Sequence, residues 1–97
     1  MDSIYLKVFI VEPILVSCIN EASFYDIYVY LQRVYLCVTE QETKDYLFYL
    51  ISGSFIDYNG SNKSYSISPD GIDLLDTIYS QKIGRVVDYS NLTVKVK

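Results

Sequence analysis

The stretch "YNGSNKSYSISPDGIDLL", residues 58–75, sets a polar turn between two short alternating runs and then begins a helix. Ile56 and Tyr58 alternate before the turn, Tyr65 and Ile67 after it, and Asn59-Gly60-Ser61-Asn62 lies between. The Asn-Gly pair predicts the positive φ angles that a tight hairpin demands. Ser68 is placed to cap the new helix, with Pro69 at its first position, where a missing N–H costs nothing. Ile72, Leu75, Ile78 and Tyr79 should face inward from it, joined by Leu74, until Gly84 breaks the pattern. The Ser-Pro-Asp-Gly stop is therefore a hairpin ending where a helix starts.

Upstream, "VTEQETKDYLFYLISGSFI" carries the clearest helix signal. Thr39 with Glu42 forms a capping box, and the acidic first turn suits the positive end of the helix dipole. Thr43, Tyr46, Leu47, Leu50 and Ile51 make the inward stripe, and Gly53 is placed to close the helix in a left-handed cap. Glu40, Gln41, Lys44, Asp45, Phe48 and Tyr49 remain on or near the outer face.

An earlier helix is expected in "ASFYDIYVYLQRVYL". Ser23 with Asp26 offers a capping-box variant, and Phe24, Ile27, Tyr28, Leu31, Val34 and Tyr35 repeat at helical spacing. Residues 4–18 satisfy two periods. Ile4, Val8, Val11, Leu15 and Cys18 fit one face of a helix, while Ile4, Leu6, Val8 and Ile10 fit a strand. A helix is favoured, with Pro13 as its kink and a strand as the alternative. At the other end, "NLTVKVK" alternates as a half-buried strand, either at a sheet edge or as an arm onto a second subunit. A frayed tail is the competing reading.

The 97 residues suffice for one modest core, and eleven of them are tyrosines able to line a core edge or a partner surface. No apolar run reaches the roughly 18 residues of a membrane span. The start lacks the basic residues and cleavage site of a secretory signal. We therefore expect a cytoplasmic protein that makes no membrane contact. On the same ground, the sequons "NKS" and "NLT" are read as chance matches. Cys18 and Cys37, with no His, cannot build a zinc site, and no general base of the usual kind is present. The cysteines read either as two buried thiols or as a disulfide. Asp70, Asp73 and Asp76 read as a solvated helix face. No nucleotide or metal motif occurs, so neither an enzyme nor a cofactor or metal is expected.

Helix, helix, helix, hairpin, helix, in this order and with these lengths, resembles the winged helix-turn-helix family. The specific part is residues 39–78. "YLISGSFIDY" looks like the family's passage from third helix into first wing strand, and "YSISPDGIDLL" is similar to its wing exit. Small archaeal and viral winged-helix proteins and the MarR-like and PadR-like regulators show this arrangement. The implied fold is α+β, mainly α: three helices, a two-stranded wing and a fourth helix over residues 1–83. Residues 84–97 would form a C-terminal extension.

In family members that bind double-stranded DNA, the third helix enters the major groove and the wing grips the backbone. By position, the resemblance implies Glu40, Gln41, Thr43, Lys44 and Asp45 as groove contacts, and Asn59, Ser61, Asn62 and Lys63 as wing contacts, within a homodimeric transcriptional regulator. Charge opposes this. From residue 20 through 81, nine acidic residues stand against Arg33, Lys44 and Lys63. Only the last sixteen residues are basic, with Lys82, Arg85, Lys95 and Lys97 against Asp88. The alternative is a protein-interaction module, of the kind a virus or plasmid uses to modulate a host complex, with Phe48, Tyr49, Tyr58 and Tyr65 as aromatic anchors.

Overall fold

Helix α1 (Val8–Cys18) is apolar around most of its circumference. Val8, Ile10, Val11, Pro13, Ile14, Leu15 and Cys18 are all buried, and the second and fourth helices pack on it. The computed structural model describes residues 4–34, 38–84 and 93–96, with side chains for residues 5–34 and 38–80. Strand β1 (Ile4–Lys7) precedes α1, and β2 (Ala22–Ser23) follows it. Next come α2 (Phe24–Val34), α3 (Glu40–Ser52), β3 (Ile56–Asn59), β4 (Ser64–Ile67), α4 (Pro69–Gly84) and β5 (Thr93–Val96). The result is a mainly helical α+β fold with two small antiparallel sheets.

One sheet has the order β2-β4-β3. Ala22 faces Tyr65 across the first pairing, and Ile56 faces Ile67 and Tyr58 faces Tyr65 across the second. The other sheet pairs β1 with β5, from Ile4 opposite Val96 to Lys7 opposite Thr93. Ile27 and Leu31 of α2, Leu47 and Leu50 of α3, Ile56 of β3, and Leu75 and Ile78 of α4 close the core on α1.

Several expectations need correction. Residues 4–7 are strand rather than the start of a helix, so the two periods read in 4–18 are used in succession. Pro13 lies within α1, and its carbonyl accepts a hydrogen bond from the Ser17 hydroxyl at 2.9 Å. Gly53 does not take the left-handed conformation (φ −84°). Ser54 does (φ 67°). The Ser54 amide donates to the Ile51 carbonyl and the Phe55 amide to the Leu50 carbonyl, so the helix ends in a Schellman motif one residue later than expected. Nor does Gly60 supply a positive φ. The hairpin turns through Lys63 (φ 53°). Ile72 is 48% exposed and Tyr79 also reaches solvent, so the hydrophobic side chains that α4 buries among the described residues are Leu75 and Ile78, with Leu74 at the margin. Cys18 is a buried thiol pushed up to about 12 by desolvation. Cys37, and with it the disulfide, lies outside the described residues, as do Tyr35 and the side chains of Lys82, Arg85, Lys95 and Lys97.

Both capping motifs are present. The Asp26 amide donates to the Ser23 hydroxyl and the Ser23 amide to the Asp26 carboxylate, and Thr39 and Glu42 exchange the same pair of bonds. At the start of α4, the Ser68 hydroxyl accepts from the Gly71 amide at 3.0 Å and donates to the Ser54 carbonyl at 2.6 Å. Gly71 is required there, because a Cβ would stand 2.1 Å from the Phe55 carbonyl oxygen and 2.7 Å from Ile67 Cγ1. Replacing Gly71 by Ala should therefore lower unfolding stability by about 1–3 kcal/mol in a urea titration. An unchanged midpoint would contradict this close approach.

Candidate interaction face of the third helix and the hairpin

Helix α3 is held at its N-terminus by the Thr39–Glu42 box and at its C-terminus by the turn through Ser54. The connection from α2 is tied by Gln32, whose side-chain amide donates to the Val38 carbonyl. Outward, α3 presents Gln41, Lys44, Asp45, Phe48 and Ile51 at steps of three and four, a single stripe along one side.

Most polar groups on that stripe already have partners. Gln41 Nε2 donates to Asp45 Oδ1 at 2.9 Å. The Lys44 ammonium sits 5.7 Å from the centre of the Phe24 ring, drawn toward the start of α2. Hydrogen bonds from the Thr39 amide, then from its side chain, hold the Glu42 carboxyl below its ordinary range, with Lys7 adding a smaller attraction. Glu40 is exposed. Thr43 must be removed from the groove-facing set. It is fully buried, and its hydroxyl donates to the Thr39 carbonyl at 2.9 Å.

The apolar part of the stripe is open. Phe48 is 65% exposed and Ile51 is 38% exposed, and Tyr49, half-buried, meets the Phe48 ring edge-on at 5.6 Å. Tyr58 and Tyr65 form a separate cross-strand pair on the hairpin, 4.9 Å between ring centres. Tyr65 is the more buried of the two, and desolvation, then its neighbour Tyr58, raises its hydroxyl above the usual range.

At the hairpin tip, Asn59 Oδ1 accepts from the Ser61 amide at 2.9 Å, so this side chain shapes its own turn. Asn62 Nδ2 donates to Glu21 Oε1 at 3.4 Å. The Ser64 hydroxyl lies 2.6 Å from Asn62 Oδ1 and 3.1 Å from Glu21 Oε1, its one proton serving either. Ser61 and Lys63 are exposed. Glu21, itself left-handed (φ 54°), thus brings a carboxylate against the tip. Sequence reading did not single out Glu21 or Phe24 as partners of these side chains, since both contacts join residues distant along the chain. Ile51 was assigned inward, and only packing shows it at the surface.

Elsewhere, an open cleft of about 140 Å³ between α1 and α2 is lined by Glu12, Pro13, Val16, Tyr30 and Val34, none of them on the α3 stripe. Among the described residues no group of three or more acidic, Cys or His side chains converges as a metal site, and no helix is long and apolar enough to cross a membrane. No family model, curated protein or solved structure matches the chain.

Two outcomes follow. Because the Glu42 carboxyl is depressed in the folded state, its stabilising effect is present above the ordinary value of 4.5 and is lost as pH falls through the lower folded value. Glu42→Gln keeps the capping geometry and should flatten the acid side of a stability–pH profile, whereas an unaltered acid limb would refute this role. Lys63→Gly should raise stability by about 0.5–1 kcal/mol by relieving the left-handed backbone, as measured by thermal or urea unfolding. A loss of stability would argue against that conformation.

Proposed function

We propose that this chain is a winged-helix module that associates with a protein partner through the outer face of α3. The order helix, short strand, helix, turn, helix, hairpin, helix supports the winged-helix reading, as does a three-stranded sheet in which the strand after α1 pairs with the returning hairpin strand. Fold does not decide activity, so the choice of partner rests on the face itself.

Lys and Arg contacts to phosphate supply essentially all non-specific DNA affinity. On α3, Glu40, Glu42 and Asp45 oppose only Lys44, and that ammonium is turned onto Phe24. At the tip, Glu21 bonds to Asn62 and Ser64, the two residues that flank Lys63 in sequence. The observation that carries the proposal is Phe48, a large aromatic ring two-thirds exposed on the stripe where a DNA reader needs polar or cationic groups. Exposed aromatics beside a polar rim are the usual anchors of protein interfaces.

A second reading, a transcriptional regulator that binds double-stranded DNA as a homodimer, draws support from the exposed Lys63 at the tip and the basic residues after position 81. Titrating the intact protein against duplex genomic fragments over a range of salt concentrations separates the two. We expect no salt-sensitive complex at low ionic strength. Tight binding that falls steeply with salt, and is weakened by Lys44→Ala and Lys63→Ala, would overturn the protein-docking reading.

A further inference from the structure

Resting on the protein-docking reading, we propose that the partner of α3 is a basic amphipathic segment, an apolar anchor flanked by Lys or Arg. The exposed stripe is chemically divided along its length. Its N-terminal half carries Gln41, Lys44 and Asp45, with Glu40 exposed at the first turn of the helix, and its C-terminal half carries Phe48 and Ile51 with the edge of Tyr49. From Gln41 to Ile51 the stripe spans about 15 Å, the length of three helical turns.

Charge complementarity selects the occupant. The Asp45 carboxylate lies one helical turn from Phe48 in the stripe and accepts from Gln41. Lys44, the one cation on α3, holds its ammonium over the Phe24 ring and is outnumbered by Glu40, Glu42 and Asp45. The C-terminal end of α3 carries the negative pole of the helix dipole, which also favours a cation. An Arg guanidinium can lie over the open Phe48 ring while its charge faces Asp45, joining cation–π attraction to an ion pair. An acidic segment or a phosphate backbone would meet like charge at the same place. A second copy of this chain, with a net charge of −4, is likewise disfavoured.

The test is selection of displayed random peptides of about twelve residues, long enough to follow the stripe, on the immobilised full-length chain. Phe48→Ala and Asp45→Lys serve as comparison baits, with circular dichroism confirming that each is folded. Enriched peptides should carry an excess of Lys and Arg beside an aromatic or aliphatic residue. Their affinity should fall about tenfold or more with Phe48→Ala or Asp45→Lys, and should weaken with salt. Enrichment of acidic or uncharged peptides that still depend on Phe48 would overturn the basic-segment proposal while leaving protein docking in place. No enrichment, or enrichment indifferent to Phe48, would overturn it as well. Displacement of the selected peptides by duplex DNA, with the salt and lysine dependence described above, would remove the docking reading itself.

Discussion

The direction in which the chain leaves α3 is set by one junction, where the end of that helix, the entry to β3 and the start of α4 meet. The Phe55 amide closes α3 by donating to Leu50, while the Phe55 carbonyl accepts from the Ser68 amide. Ser68 then caps α4 and reaches back to the Ser54 carbonyl. Gly71 permits the approach, since any side chain there would strike the Phe55 carbonyl. Buried backbone groups need partners, and here five residues satisfy one another across three elements. These bonds set the direction in which the hairpin leaves α3.

Much of this was legible before any coordinates. Thr39–Glu42 and Ser23–Asp26 announced two helices because capping chemistry is local and involves residues three apart. The Ser68–Pro69 start was legible for the same reason. The N-terminal segment was not, because α1 is buried on almost every side and has no polar face to set its phase. Its apolar residues run straight into those of β1. The two-residue strand β2 is too short to carry a period, and it exists only through its pairing with β4. The left-handed positions were misassigned to Gly53 and Gly60 because glycine is the usual occupant. The backbone instead turns at Ser54 and Lys63, one and three residues further on, where hydrogen-bond closure demands it.

The interaction face was legible in composition and illegible in detail. An excess of acid around residues 40–45 follows from counting, and so does the cluster of aromatics after it. That Lys44 would lie over Phe24, that Thr43 would be sealed under the cap, and that Glu21 would hold Asn62 all depend on tertiary contacts. Each of these contacts removes a polar group from those free to read a base edge. What they leave open is a short stripe, anionic at one end and aromatic at the other.

The sign of the potential over that stripe is the central claim, and it can be measured without knowing the partner. Paramagnetic relaxation of the backbone amides by otherwise matched cationic and anionic nitroxide co-solutes reports which ion accumulates near each residue. The account predicts stronger broadening by the cationic probe at Gln41, Asp45 and Phe48. Preferential broadening of those amides by the anionic probe would contradict it.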